Sequence, residues 1–332
     1  MGLFGVSNGY GSLKRVLMHR PGMELDKVTE DNKTEFNFKR AVNKTTFVNE
    51  YDIMLSKFQN HGTETILLTD VLKDDLDAIE YISHRPNMTY TRDLAVVFNH
   101  GAYLMSPKIK SRWGDQFIVG RAFEKLGVPI KGIVDPPGYI EGGGVQPIDE
   151  DTCAVSVCDR ANETGTRMLK EMILGKEVKY YLEVPVPKGS IHIDGSCMVI
   201  DKKLCLVWPE NFATFPCRLY EDGKIGFKNI MFMDFLKERG FDCIIASSDD
   251  RYAGYLNVVV TVQSEKAIGF EQDGDVLKGM TSRGWALDSF PASELWQGNG
   301  GAHPREVIPF RTSPSCSNPI AFSDWTVTTT FR

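Results

Sequence analysis

"CMVIDKKLCLVW" (residues 197–208) holds two short apolar runs, Cys197–Ile200 and Leu204–Val207, separated by the polar Asp201-Lys202-Lys203. Runs this short fit strands and not helices, so the stretch reads as a hairpin. A helical pattern closed by glycine follows in "NIMFMDFLKERG" (229–240), and then a further apolar run in "CIIAS" (243–247). Hairpin, helix and strand recur along the chain. "LAVVFNHGAYLMS" (94–106) is a hairpin turning at Asn-His-Gly, and "FIVGRAFEKLGVP" (117–129) is a helix that Pro129 stops. "CAVSVC" (153–158), "TRMLKEMIL" (166–174) and "KYYLEVPV" (179–186) read as strand, helix and strand. "YLNVVVTVQSEKAIGF" (255–270) reads as another hairpin. Nearer the start, "RVLMHRP" (15–21) reads as a strand, residues 35–62 as one long helix ending at His61-Gly62, and "TETILLTD" (63–70) as a second strand. Strands and helices mixed at this spacing predict an α/β protein. Five such units would take roughly 66 residues each, the size of a supersecondary module. No Pro/Gly/Ser-rich linker or charge block divides the chain, so a single domain over 1–332 is expected.

The composition narrows the classes of function. Hydrophobic residues make up 42% of the 332 positions and charged ones 25%, as in ordinary soluble proteins. A net charge of -6 argues against nucleic acid or an anionic membrane as main partner, since either calls for a basic footprint. No run is long enough to span a bilayer, and the opening "MGLFGVSNGYGSLKRV" lacks the apolar region of a signal peptide. Val6 stands where N-myristoylation requires Ser or Thr, so a cytoplasmic location is expected. The seven cysteines form no C-x-x-C pair, and strand alternation would put Cys153 and Cys158 on opposite faces. Neither a zinc site nor a disulfide framework is expected. There is no Walker sequence, and "EGGG" lacks dinucleotide-binding spacing, so no nucleotide cofactor is indicated.

Three polar clusters stand at strand ends. "YTRDLAVVF" (90–98) sets Arg92-Asp93 before an apolar strand, where a local salt bridge is the simplest reading. "YIEGGGVQPID" (139–149) places Glu141 at the lip of three glycines, which suit either a bare turn or close approach to a ligand. In "IHIDGSCMVI" (191–200), read as a strand, His192 and Asp194 share one face and Ile191 and Ile193 the other. That can be a satisfied polar pair, or a histidine oriented to move protons. Late in the chain, "GNGGAHPREVIPFRTSPSCSNPI" (298–320) carries Cys316, the last of the cysteines. Carboxylates that can grip a guanidinium, a thiol that can attack its carbon and a histidine that can move protons form one coherent set.

At these residues the sequence resembles the guanidine-modifying (pentein) superfamily of arginine deiminases, dimethylarginine dimethylaminohydrolases and amidinotransferases. "RVLMHRPGMEL" resembles the opening strand of arginine deiminases, "YTRDLAVV" their Arg-Asp motif, "IEGGG" their Glu-Gly-Gly-Asp motif, and "HIDGSCMVID" their His-x-Asp strand. The order and spacing agree from about residue 15 onward. The resemblance implies a five-bladed α/β propeller with the site on its axis. It implies that Asp93 and Glu141 hold the guanidinium, and that His192 is the general acid and base. Asp194 would contact both substrate and histidine, and Arg92 accompanies Asp93 in the binding set. Arg160, in "VCDRANETG", would hold the substrate carboxylate, with Ala161 where the family has threonine. Asn257 in "YLNVVV" would lie near the site.

The sequence departs from the family at two places. Gly144 replaces the aspartate after Glu-Gly-Gly, and "AHPREVIPFRTSP" separates the glycines at 298, 300 and 301 from any cysteine. Aligning on Pro319-Ile320 puts Ser315 at the nucleophile position, and a one-residue shift puts Cys316 there. Cys316 is favoured because it is the only cysteine in the final segment and the other four motif positions are retained, and a thiolate is accessible near neutral pH where a serine is scarcely ionised. The expected activity is a cofactor-free, metal-free hydrolase of C–N bonds in arginine or a related guanidino compound, through a covalent thiouronium on Cys316. Transfer of the amidino group to an amine acceptor is the alternative, and a non-catalytic relative that lost the nucleophile is a further one. Which guanidino compound is bound is left open, as is the oligomeric state, with a homo-oligomer allowed.

Overall fold

The computed structural model describes residues 4–301 and 307–311. Five sheets are built on one repeated plan. Each holds an antiparallel pair whose inner strand also pairs in parallel with a strand reached through a helix. In the second sheet β3 (Ala95–Phe98) and β4 (Gly101–Leu104) form the hairpin, and α4 (Asp115–Lys125) leads to β5 (Ile130–Ile133), parallel to β4. The third repeats this with β6 (Val145–Asp149), β7 (Thr152–Val157), α5 (Glu163–Ile173) and β8 (Tyr180–Pro185). In the fourth, β9 (Cys197–Asp201) and β10 (Leu204–Val207) are followed by α6 (Phe232–Glu238) and β13 (Asp242–Ile245). A hairpin inserted there, β11 (Cys217–Glu221) and β12 (Lys228–Ile230), extends the third sheet through β8. After α7 (Ser248–Ala253), the fifth sheet comprises β14 (Val259–Val262), β15 (Lys266–Phe270) and β16 (Ala286–Phe290), with α8 (Asp275–Thr281) before β16. The first sheet joins β1 (Leu13–Met18) to β2 (Glu64–Leu67) through α1 (Lys44–Asn60). It is completed by β17 (Val307–Arg311), antiparallel to β1. The short helices α2 (Leu68–Val71) and α3 (Leu76–Ile82) lead into the second sheet. Among the described residues, no helix is long and apolar enough to cross a membrane.

Period-two alternation distributes each strand between two cores. On β3, Val96 and Phe98 join the core shared with the third sheet, whereas Ala95 and Val97 join the core shared with the first and fifth. On β9, Cys197 and Val199 face the third sheet's core, and Met198 and Ile200 face the fifth's. On β14, Val260 and Val259 divide between the fourth and first sheets in the same way. The second to fifth sheets thus each contribute to two cores, and the first packs into the core that it shares with the second and fifth.

Three element boundaries differ from expectation. The strand expected over 63–70 ends at Leu67, and Leu68–Val71 form a short helix. The helix expected over 35–62 begins at Lys44, because the Asn43 side chain accepts from Thr46 N at 3.0 Å and caps it there. Residues before it form turns, with Asn37 at a φ of 59° and Phe38 buried. The helix expected from Asn229 starts at Phe232, since Lys228–Ile230 pair with β11.

Candidate active site

The motif residues sit at equivalent places in successive modules. Single 3-10 turns at Thr91–Leu94, Gly142–Gly144 and Ile193–Gly195 lead into β3 and β6 and to just before β9. Asp93 lies in the first turn, whereas Glu141 and His192 are the extended residues that begin the second and third. His192 and Asp194 therefore lie not in a strand, as the alternation suggested, but across a one-turn helix. The two side chains still converge, with His192 Nδ1 4.0 Å from Asp194 Oδ1.

The turns approach one another closely because two positions lack side chains. A Cβ on Gly142 would stand 2.0 Å from the Arg92 carbonyl oxygen. One on Gly143 would stand 2.4 Å from His192 Nδ1 and 2.9 Å from Asp194 Oδ2. The glycine run thus serves close approach more than turning. His192 Nε2 lies 2.9 Å from Glu141 Oε2, and its Nδ1 lies 3.9 Å from Asp93 Oδ1. Arg160 Nη1 donates to the other Glu141 oxygen at 3.3 Å. A cleft is lined by Asp93, Glu141, Arg160 and His192 together with Tyr90, Arg112, Gly298 and Asn299.

Burial raises the cost of every charge here, yet the charges answer one another. It pushes the Glu141 carboxyl upward, but the His192 hydrogen bond and the charges of Arg160, His192 and Arg112 win and hold it at about 2. His192 is likewise opposed by burial, but Asp93, Glu141 and Asp194 raise it above the ordinary imidazole range. Burial raises Asp93, against the pull of Arg112 and His192. The resting site is therefore a Glu141 carboxylate against a readily protonated His192. One side-chain nitrogen or oxygen from each of Asp93, Glu141 and His192 lies within 4.8 Å of the others.

Asp93 does not pair with its neighbour Arg92, as a local salt bridge would require. Arg92 turns away and donates to the Val145 carbonyl at 3.1 Å, beside a separate small cavity that Val6, Asn8 and Met198 also line. Asp93 Oδ2 is instead gripped by Arg112 Nη1 at 2.6 Å. Asp93 Oδ1 accepts no hydrogen bond from any described residue, although Asp93 is only 5% exposed. Sequence reasoning missed Arg112, which sits in "KIKSRW" and resembles an ordinary basic loop until the chain folds.

Asn257 is buried just before β14, where a Cβ on Gly301 would meet its Cγ at 2.2 Å. The glycines of 298–301 thus enter the same region, and the chain approaching them is firmly held. Glu50 accepts from the backbone N–H groups of Glu294 and Leu295, both at 2.9 Å, and Arg40 pairs with Glu294 at 2.6 Å. Tyr90 Oη donates to the Gly298 carbonyl at 2.5 Å, and Asn299 Nδ2 donates to Asn37 O at 2.7 Å. Cys316 and its rival Ser315 lie outside the described residues.

No protein-family model matches the chain. In sequence it is 22% identical over 294 residues to YkgA of Bacillus subtilis, spanning 88% of this chain and 90% of that one. It is 19% identical to the arginine deiminase of Mycolicibacterium gilvum, spanning 90% and 95% of the two. In structure it superposes on the citrulline complex of Pseudomonas aeruginosa dimethylarginine dimethylaminohydrolase with a TM-score of 0.68, at 13% identity over 89% of this chain and 99% of the other. The product-bound N-terminal domain of ArgZ, a cyanobacterial arginine dihydrolase, gives 0.70 at 13% identity, over 90% and 98%. The chain has the fold of the guanidine-modifying superfamily.

Proposed function

We propose that this protein is a cysteine-dependent hydrolase of the guanidino group, acting on arginine or a close relative. The observation that carries the reading is the Asp93 carboxylate. One of its oxygens is buried and, among the described residues, accepts no hydrogen bond, within 3.9 Å of a histidine that a second carboxylate holds. A buried acceptor without a partner is costly, and a guanidinium supplies paired N–H donors that remove that cost. The dimethylarginine, arginine deiminase and arginine dihydrolase enzymes that this chain resembles support the same substrate class.

In this reading Asp93 and Glu141 orient the guanidinium, with Asp194 beside it. Arg160 borders the cleft and binds the substrate carboxylate, since a guanidinium carries five donors and its contact with Glu141 uses one. The bound cation favours the Cys316 thiolate, which attacks the central carbon. His192, raised by the carboxylates around it, gives its proton to the departing nitrogen, and ammonia or an amine leaves a thiouronium on sulfur. His192, now neutral, takes a proton from water, whose oxygen adds to the same carbon. The C–S bond then breaks, releasing a ureido product and restoring the thiolate. The five modules are taken as blades around an axis, one domain with the three turns at its mouth, and the enzyme as cytoplasmic.

Purified protein incubated with a panel of guanidines, with and without a primary amine, tests this by mass spectrometry. Citrulline and ammonia from arginine are expected. Ornithine plus a new guanidine would make it an amidinotransferase, and no product from any guanidine would reject the hydrolase. Cys316→Ser should reduce turnover at least a hundredfold, on the scale of losing a nucleophile. Unchanged turnover would remove Cys316 from the mechanism and bring Ser315 forward.

A further inference from the structure

The Arg112 guanidinium is placed between two buried carboxylates, and only one of them belongs to the cleft. Its Nη1 donates to Asp93 Oδ2 at 2.6 Å and its Nη2 to the Tyr90 carbonyl at 2.9 Å. Its Nε faces Asp115 Oδ2 at 3.8 Å, beyond hydrogen-bond length, so that contact is Coulombic. Asp115 is the first residue of α4 and fully buried. The groups facing it are Tyr81 from α3, whose hydroxyl donates to Oδ1 at 3.1 Å, Arg85 from the segment after α3, at 3.6 Å, and Arg112 from the turn preceding α4. Asp115 Oδ2 itself accepts no hydrogen bond from the described residues.

We propose that Asp115 is a positioning residue for substrate binding. By sharing Arg112 with Asp93, it sets how much negative charge Asp93 presents to a bound guanidinium. The proposal rests on the reading of Asp93 given above. With Asp115 ionised, the Arg112 charge is divided between two carboxylates, and Asp93 keeps more of its own charge for the substrate. With Asp115 neutral, Arg112 acts on Asp93 alone and competes with the incoming cation. Such interactions are weakly screened in a buried site. Burial pushes the Asp115 carboxyl up to about 6, against Arg112 and Arg85, so the exchange falls in mildly acidic solution. A plainer role exists for an acidic residue at a helix start, where it complements the helix dipole. That role would affect melting and leave the pH dependence of substrate binding untouched.

The test compares wild type, Asp115→Asn and the conservative Asp115→Glu between pH 5 and 8. KM for the accepted guanidine, kcat, the melting midpoint and the side-chain Nε–H resonance of Arg112 are measured. In the wild type, KM should rise on the order of tenfold as pH falls through about 6, the scale set by one charge beside a buried partner. Asp115→Asn should show the high KM throughout, with no inflection near 6, and Asp115→Glu should restore the inflection. An Asn variant that melts lower but keeps the wild-type KM profile overturns the proposal. The Arg112 resonance should titrate near pH 6 in the wild type and not in the Asn variant, whether or not any guanidine turns over. If no substrate is consumed but that titration is seen, the hydrolase reading fails and the charge sharing stands. If the resonance is flat in both, the charge sharing fails.

Discussion

Replacing Gly143 by alanine adds a single methyl group against His192 and Asp194 at the centre of the site. That carbon would lie 2.4 Å from His192 Nδ1 and 2.9 Å from Asp194 Oδ2, where about 3.4 Å is the near limit of ordinary contact. The histidine ring must therefore retreat by about 1.0 Å, the difference between 3.4 and 2.4, or the turn must move by as much. His192 is held by Glu141 at 2.9 Å, and a shift of that size breaks the bond or drags Glu141 along. Misplacement of a catalytic group by about 1 Å costs on the order of 100-fold in rate, and overpacking of this kind costs about 1–3 kcal/mol in stability. Steady-state turnover of a guanidino substrate, with a melting curve on the same sample, measures both. Gly144→Ala is the control, because its methyl would meet only Ser156 Oγ, at 3.1 Å. A Gly143→Ala enzyme within threefold of wild type, melting where wild type does, would refute the argument that this glycine exists to admit His192.

Two further outcomes follow from the same contacts. Asn43→Ala removes the acceptor that starts α1 and should destabilise the protein by about 1 kcal/mol, lowering the melting midpoint by roughly 1–2 °C without changing kcat. The Glu141–His192 pair makes stability depend on pH in a known direction. His192, raised when folded, contributes fully below its unfolded value near 6.5 and loses that contribution as pH rises through its folded value. Glu141, held at about 2, contributes above its unfolded value near 4.3 and loses it as pH falls toward 2. Both contributions are complete between about pH 4.5 and 6.5. Urea midpoints of wild type should fall on going from pH 6 to pH 9 by more than those of His192→Gln, and equal slopes would show that the pair does not stabilise the fold.

The hairpin–helix–strand plan was legible because strands such as β3 and β9, shared by two cores, carry apolar residues on both faces and so stand out as short continuous runs. "CMVIDKKLCLVW" reads correctly for that reason. The start of α1 was not legible, since Phe36 and Phe38 extend the apolar pattern backward while the Asn43 cap that ends it is a local hydrogen bond. Asp93, Glu141 and His192 were found because motif resemblance marks them, and the fold brings them together. Arg112 and Asp115 were not, because nothing near "SRWGD" indicates a buried partner 19 residues upstream. His192 and Asp194 do converge, at 4.0 Å, but not within a strand: His192 is the extended residue ahead of the one-turn helix that carries Asp194.

The pairing of β17 with β1 has a consequence for how the protein is made. Leu13 is matched with Arg311, so the first sheet waits for a partner nearly three hundred residues later. At about 5–20 residues per second, a ribosome needs roughly 15–60 s to supply it. Throughout that interval β1 offers an open edge of unpaired backbone groups, the kind of surface that recruits strands from other nascent chains. A chain interrupted before Val307 would keep that edge permanently. Loss of β17 should therefore be felt first as aggregation that begins at the opposite end of the sequence.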